Sequence, residues 1–267
     1  MPIPEGPTRL YAVLGDPVAQ VMAPVMMNKV FRDSGIDAVL VPVHVSPADL
    51  PDVLKGLQKI RNLDGILVTI PHKFAVCDFM DTLSPAVQLS GAANALRREA
   101  DGTWTGENFD GQGFVVGLHE QGHATAGQHV AMVGTGGAGV AIAAALIASG
   151  VASLTVMDLS ADKARALVAR LDAMRPGVAT YEPFIDWSSI DIAINATPMG
   201  LRPEDPLPFD PAALRAGAVV ADVIMKPPET RLLTTAAAAG FAIHHGIHML
   251  ESQIGLYRAF FRVGDTA

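Results

Sequence analysis

The chain has 267 residues, of which 50% are hydrophobic and 17% charged, and its formal net charge is −8. This composition is typical of a globular protein with one large or two modest domains, and the negative charge argues against nucleic acid or a membrane as partner. Cys77 is the single cysteine, which excludes an internal disulfide and favours a cytoplasmic location. The opening segment 1–7 has no basic start or apolar core, so no signal peptide is expected.

The first 70 residues alternate between apolar strands and amphipathic helices. Strands are predicted at 9–15, 38–45 and 65–70, and a helix is predicted to begin near Pro24. A second helix is predicted to begin at Ser46, which would act as its cap, and to bury one face as far as Ile60. This βαβαβ order indicates a small open α/β layer.

The segment 73–122 is expected to lead from this layer into a second one. Residues 73–91 have an irregular helical pattern, 93–98 and 103–107 are predicted as short strands around a turn, and 111–122 as a linking helix. We place the joint between two domains near Asp110.

A glycine-rich turn follows the apolar run 130–133, and a small-residue helix and a second strand, 154–157, come after it. Gly134 permits a tight turn, Gly136 lets a pyrophosphate approach the backbone, and Gly139 lets the helix lie close to the strand. The helix N-terminus then offers free N–H groups to phosphate. Asp158 ends the second strand, where an acid can accept hydrogen bonds from the ribose hydroxyls. The stretch predicts a dinucleotide-binding βαβ unit.

The rest of the chain continues the alternation. A helix at 160–174 is predicted with caps at Ser160 and Asp162, followed by strands at 190–194, 218–225 and 241–244 and helices at 230–239 and 247–261. The fold class is therefore α/β with two domains. We predict an N-terminal α/β substrate domain, 1–110, completed by the C-terminal helix 247–267, and an NAD-binding Rossmann domain, 111–246.

Two charged residues are candidates for chemistry. Lys73 follows the third strand, and Asp110 lies at the proposed joint. Ligands of open α/β sheets bind beyond the carboxyl ends of the strands. An amine and a carboxylate there could take a hydroxyl proton as a hydride leaves for a nicotinamide. The alternative is that both are solvated surface charges.

The chain resembles the shikimate dehydrogenase family over nearly its full length. The resemblance rests on motifs at 15–17, 68–73, 91–94, 108–111, the glycine turn, 195–200, 222–230 and 246–253. It implies Lys73 and Asp110 as the catalytic pair. It implies substrate-hydroxyl contacts from Thr69, Asn94 and Gln253. The cofactor-binding residues that it implies are Gly134, Gly136, Gly137, Ala138, Gly139, Asp158, Thr197, Met199 and Met249. A role in aromatic amino acid biosynthesis and a monomer or homodimer acting on a small molecule are also implied.

The chain departs from the family pattern at the end of the site that holds the substrate carboxylate. Val21 and Ala23 stand where the family has a Ser-x-Ser pair, and Leu67 stands where it has asparagine. Ala95 and Phe109 replace threonines. A buried carboxylate without donors is unfavourable, so we hypothesise a substrate other than shikimate, with a smaller or less polar group there. Gln20 and Arg9 are alternative carboxylate partners by sequence proximity.

The cofactor choice follows from charge. Family members that use NADP tend to carry Asn-Arg-Thr after the second Rossmann strand, whereas this chain has Asp158-Leu159-Ser160. An acid beside a 2′-phosphate is repulsive, and Leu159 supplies no cation. NAD is therefore expected over NADP, although Lys163 or Arg165 would weaken the preference by bending towards a phosphate.

Other functions remain as alternatives. Within the class, quinate or another cyclic polyol is a possible substrate, and a methylene-folate type dehydrogenase shares the lysine. From another class, a non-catalytic NAD-binding sensor would explain the lost substrate contacts. The histidines at 244, 245 and 248 straddle a strand end and a helix start, so no metal site is expected.

Overall fold

The computed structural model describes residues 4–264. Outside that range lie residues 1–3, which belong to the opening segment 1–7, and residues 265–267, which belong to the predicted C-terminal helix 247–267. The chain divides into two compact units, one comprising residues 1–109 with 253–267 and the other residues 110–252. Among the described residues, no helix is long and apolar enough to cross a membrane.

The first unit contains a six-stranded mixed sheet. Its strands are β1 (Arg9–Gly15), β2 (Ala38–His44), β3 (Leu63–Val68), β4 (Thr82–Leu83), β5 (Ala95–Arg98) and β6 (Trp104–Glu107), in the order β2-β1-β3-β5-β6-β4. The helices are α1 (Ala23–Asp33), α2 (Leu50–Leu57) and α3 (Pro85–Ser90). β1 pairs in parallel with β2 and β3, whereas β5 is antiparallel to both β3 and β6. The predicted βαβαβ layer and the hairpin that follows it are confirmed.

Two predicted elements of the first unit are wrong in detail. The second helix begins at Leu50, and its cap is Asp49. Ser46 instead closes a turn, because its hydroxyl donates to the Asp49 carboxylate and accepts from the Asp49 N–H. The segment 73–91 is not continuously helical: it contains a 3-10 helix, Ala75–Phe79, then β4 and α3.

The core of the first unit is built from apolar residues of the strands and of the helices that pack on them. Leu14, Leu54, Ile66 and Leu96 are each fully buried in one cluster, which also includes the buried Trp104. Burying each such side chain contributes about 1.5–3 kcal/mol. This core fixes the carboxyl ends of β1 and β3, from which the candidate substrate residues project.

The second unit is a doubly wound sheet of six parallel strands. Its elements are α4 (Asp110–Glu120), β7 (His129–Val133), α5 (Gly137–Ala148), β8 (Ser153–Met157), α6 (Ala161–Asp172), β9 (Ala179–Tyr181), β10 (Ile192–Asn195), β11 (Val219–Asp222), α7 (Arg231–Ala238) and β12 (Ala242–His244). The last helix, α8 (Gly246–Phe260), begins in this unit, and its residues from Gln253 onward belong to the first unit. The strand order is β12-β11-β10-β7-β8-β9. The order reverses between β7 and β10, which is the switch point where Rossmann folds bind dinucleotides. The predicted fold class is confirmed.

Two details of this unit differ from the sequence predictions. Ser160 caps α6 by accepting from the Lys163 N–H at 3.4 Å, whereas Asp162 lies in the first turn with an exposed side chain. Strand β9 was not predicted, because three residues are too few to display a period.

Candidate active site

The glycine turn is closed by backbone contacts within the second unit. Gly134 has φ +107°, and a Cβ there would lie 2.7 Å from the Ala196 carbonyl oxygen. A Cβ on Gly139 would overlap the Gly134 carbonyl oxygen, whereas a Cβ on Gly136 would meet nothing within 4 Å. The turn is therefore tight at its two ends and open at Gly136, as a loop that receives a pyrophosphate requires.

We expect Gly139→Ala and Gly136→Ala to separate folding from cofactor binding. The Gly139 variant forces backbone apart, so Tm falls by roughly 4–8 °C and NAD affinity falls with it. The Gly136 variant keeps Tm, because its methyl group points into open space. We expect it to weaken NAD binding about tenfold or more, because the methyl group would crowd a pyrophosphate that approaches this backbone. Thermal unfolding and NAD titration measure both effects. Equal NAD affinity in the Gly136 variant and the wild type would contradict this assignment.

The Asp158 carboxylate holds the glycine turn to the end of β8. One oxygen accepts from the Thr135 N–H at 2.7 Å and from the Thr135 hydroxyl at 2.8 Å, and the other accepts from the Ser160 N–H at 2.8 Å. Burial opposes ionisation, but the bonds from Ser160 and Thr135 keep the pKa of Asp158 below its ordinary value. Asp158 is thus a charged anchor of the loop, and its predicted contact with the ribose remains a prediction.

A second polar network lies at the carboxyl ends of β10 and β11. Asn195 accepts from the Thr197 hydroxyl at 2.6 Å and donates to the Met199 carbonyl at 2.9 Å and to Asp222 at 3.1 Å. Asp222 also accepts from Thr230 at 2.8 Å. Burial raises the pKa of Asp222 to about 6 despite these bonds. The network positions Thr197 and Met199 next to the glycine turn, since the neighbouring Ala196 carbonyl contacts Gly134.

The sequence analysis assigned no role to Asn195 or Asp222, although both lie in motifs on which the family resemblance rests. The available signal was a polar residue at the end of each of two apolar strands, where burial requires hydrogen-bond partners.

Met249 is buried in the first part of α8. That helix begins at Gly246, where a Cβ would lie 2.6 Å from the Ile224 carbonyl oxygen beyond β11. The close approach sets where α8 starts. The predicted place of Met249 beside the nicotinamide remains a prediction.

In the first unit, the segment 69–73 is fixed at the carboxyl end of β3. The Thr69 N–H donates to the Leu14 carbonyl at 2.9 Å, and the Lys73 carbonyl accepts from the Ala93 N–H at 2.8 Å. His72 is buried, with Nε2 2.7 Å from the Val45 carbonyl. This bond makes His72 an anchor for the loop that carries Lys73.

Asn94 and Gln253 meet in a buried cluster of the first unit. Asn94 Nδ2 donates to Gln253 Oε1 and to the Tyr257 hydroxyl, both at 3.2 Å, and Asn94 Oδ1 accepts from the Phe109 N–H at 2.9 Å. The Tyr257 hydroxyl in turn donates to Gln253 Oε1. Two of the three predicted hydroxyl-binding residues are therefore brought together. Tyr257 is a further member that sequence reasoning missed.

The predicted carboxylate end of the site is apolar. Ala23 is buried at the start of α1, Val21 is half-buried just before it, and Leu67 is buried in β3. Gln20 donates to the Pro17 carbonyl at 2.8 Å.

The prediction that Arg9 could bind the substrate carboxylate is wrong. It begins β1 and pairs with Asp64 near the start of β3, whereas Val21 and Ala23 follow the far end of β1. Seven strand residues span about 20 Å, which is beyond the reach of an arginine side chain.

The two proposed catalytic residues belong to different units. Lys73 is half-buried in the first unit, and Asp110 is buried at the first residue of α4 in the second. Their pairing stays a prediction. Within residues 4–264, no cluster of three or more histidine, cysteine or acidic side chains is suited to a metal ion.

A Rossmann unit with an open glycine turn and an α/β unit with a buried amide cluster are the two parts expected of a nicotinamide-dependent oxidoreductase. Residues 13–96 match the profile of the shikimate dehydrogenase substrate binding domain. The chain is 35% identical over 254 residues to an NADP-dependent shikimate dehydrogenase of Rubrobacter xylanophilus, covering 93% of this chain and 89% of the relative. The chain belongs to the shikimate dehydrogenase family.

Two solved structures extend the comparison. A quinate dehydrogenase of Corynebacterium glutamicum in complex with NAD is similar, with TM-score 0.85 and 30% identity over 95% of this chain and 93% of that one. A ligand-free 5-ketofructose reductase of a Gluconobacter strain is similar, with TM-score 0.83 and 30% identity over 95% of this chain and 92% of that one. Proteins of this fold are thus named for more than one polyhydroxylated substrate.

Proposed function

We propose that the protein catalyses reversible hydride transfer between NAD and a secondary alcohol of shikimate or a related alicyclic hydroxy compound. The buried cluster of Asn94, Gln253 and Tyr257 carries the proposal. Two amides and a phenol offer both donors and acceptors, which is the set that recognises neighbouring hydroxyl groups. Lys73 lies on the loop that follows β3, and its carbonyl accepts from the N–H of Ala93, the residue before Asn94.

The reaction needs one proton acceptor and one hydride acceptor. Lys73 takes the proton of the substrate hydroxyl as the carbinol C–H bond breaks, and it returns that proton in the reverse direction. Asp110 orients the amine and shares its proton. The glycine turn and Asp158 would hold the dinucleotide, whose nicotinamide supplies the hydride acceptor when bound.

The apolar carboxylate end narrows the substrate class. Val21, Ala23 and Leu67 provide no side-chain hydrogen bond to a carboxylate, so a charged group there would lose its water without compensation. A ring alcohol with a small or uncharged substituent fits better. The second candidate is a carboxylate-free ketose or polyol, which the likeness to a 5-ketofructose reductase supports.

NAD is the proposed cofactor. Asp158 keeps its charge beside the glycine turn, and Leu159 is fully exposed in the position next to it. We expect kcat/KM with NAD to exceed that with NADP by about tenfold or more, since a 2′-phosphate would face the Asp158 carboxylate, on which Lys163 is the smallest of the influences that lower the pKa. Leu159→Arg should lower the ratio of kcat/KM with NAD to kcat/KM with NADP, because it supplies a cation for the 2′-phosphate. Leu201→Arg, a matched change at another exposed leucine, should leave this ratio unchanged. Comparable kcat/KM values for both cofactors in the wild type would refute the preference.

An activity screen tests the proposed reaction. Purified protein is assayed with NAD against shikimate, quinate and myo-inositol, and with NADH against 5-ketofructose and 3-dehydroshikimate. Turnover of a ring alcohol supports the proposal. Efficient turnover of shikimate with KM in the micromolar range would contradict the hypothesis that the apolar carboxylate end excludes shikimate. Tight NAD binding without turnover of any compound would favour the sensor.

A further inference from the structure

Tyr257 is buried in α8, with 4% of its surface exposed. Its hydroxyl accepts from Asn94 Nδ2 at 3.2 Å and donates to Gln253 Oε1. A buried phenol needs such partners, but its partners here are the two amides proposed to hold substrate hydroxyls. The tyrosine therefore shares the polar centre of the substrate site.

The ring of Tyr257 is held in place by aromatic neighbours of the same unit. Phe109 meets it edge-on, with ring centroids 5.7 Å apart, and Phe261 stacks on it at 6.4 Å. Gln253 lies four residues before Tyr257, so the two side chains project from one face of α8. The position of the hydroxyl is thus fixed by the packing of the ring.

Phe109 links this packing to a departure from the family pattern. It stands where the family has a threonine, and its N–H donates to Asn94 Oδ1 at 2.9 Å. The Tyr257 hydroxyl binds the other polar atom of the same amide, Asn94 Nδ2. Residue 109 thus contacts both members of the Asn94–Tyr257 bond, the amide through its backbone N–H and the tyrosine through its ring.

We propose that Tyr257 is a specificity-determining residue whose hydroxyl contacts a ring hydroxyl of the substrate together with Asn94 and Gln253. The inference rests on the proposed function. A phenol both donates and accepts, so it can turn its O–H from Gln253 to a substrate oxygen while still accepting from Asn94. The site then selects an alcohol that has a hydroxyl at this point of the ring, because an analogue without it leaves buried polar groups unpaired.

Tyr257→Phe tests the contact, with Tyr181→Phe as a matched control. Tyr181 lies in the second unit, where its ring faces Arg165, and its variant also loses one phenol hydroxyl. Shikimate, quinate and myo-inositol are titrated against each protein in the presence of NADH. For the compound that the wild type binds, we expect about tenfold weaker binding by Tyr257→Phe, no change in Tyr181→Phe, and NADH affinity within about twofold in both.

Monodeoxy analogues of the bound compound distinguish contact from packing. The analogue that lacks the contacted hydroxyl should bind the wild type and Tyr257→Phe equally, while the other analogues keep the tenfold difference. Equal loss for every analogue, or no loss at all, would overturn the inference and leave the proposed function standing. Failure of the wild type to bind any of the three compounds would overturn both.

Discussion

We expect Lys73→Ala to lower kcat by about 100- to 10,000-fold while NAD affinity stays within about twofold, because a general acid–base contributes that range to a rate. Lys73 is half-buried on a loop held by the Ala93 N–H and by the His72–Val45 bond. Replacing a side chain on a loop anchored through its backbone should leave the fold intact. Steady-state rates and NAD titration measure the two effects.

Lys59→Ala is the control for charge, since Lys59 is an exposed lysine of the same unit. It should keep full activity. A small primary amine such as methylamine should restore part of the rate of Lys73→Ala, because it can enter the vacated space and carry the proton. Full activity of Lys73→Ala would exclude Lys73 as the acid–base, and an unrescued loss with lowered Tm would indicate a structural role.

The glycine turn shows what local sequence could predict. A strand, three glycines, a helix and a terminal acid are adjacent in the chain, and each has one physical requirement. The structure accordingly has β7, α5 and β8 within a few residues of the predicted bounds. The engagement of Asp158 by Thr135 was not predicted, because a side-chain bond across 23 residues leaves no periodic trace.

The substrate cluster shows what local sequence could not predict. Asn94 and Tyr257 are 163 positions apart, and they meet only because the part of α8 from Gln253 onward packs within the first unit. Asn94 and Gln253 were found through family resemblance, whereas Tyr257 belonged to no quoted motif. The predicted start of α2 was wrong for a local reason, because a serine three residues before an aspartate can close a turn as readily as it caps a helix.

The His244 contribution to the stability of the second unit should decrease as pH falls. It is fully buried at the end of β12, and neither ring nitrogen has a hydrogen-bond partner among the described residues. Burial, with the nearby rings of His248, His123 and His245, lowers its pKa to about 3. Phe114 packs edge-on against the ring at 5.6 Å.

The sign of the effect follows from the direction of this shift. The folded-state pKa of His244 lies below its unfolded value, so its contribution to stability is complete above about pH 6.5 and is lost progressively as pH falls towards 3. Near pH 4.5 the loss is about 2–3 kcal/mol, at 1.36 kcal/mol per pKa unit. Asp222 acts in the opposite direction: its raised pKa makes it stabilise the fold below pH 4 and lose that contribution as pH rises through 6.

His244→Phe isolates the histidine contribution. In a Trp104→Phe background, Trp187 is the remaining tryptophan, and it lies in the second unit. Between pH 6.5 and 4.5 the two contributions nearly cancel with His244 present, so urea unfolding followed by Trp187 fluorescence should show a free energy of unfolding that changes by less than about 1 kcal/mol. With His244→Phe the free energy of unfolding should rise by about 2 kcal/mol over the same range, because the Asp222 contribution is then unopposed. His129→Asn, which alters an exposed histidine of β7, should keep the nearly flat pH profile of the background protein. Parallel pH profiles for His244→Phe and its background would exclude His244 as the titrating group, since no other change distinguishes the two proteins.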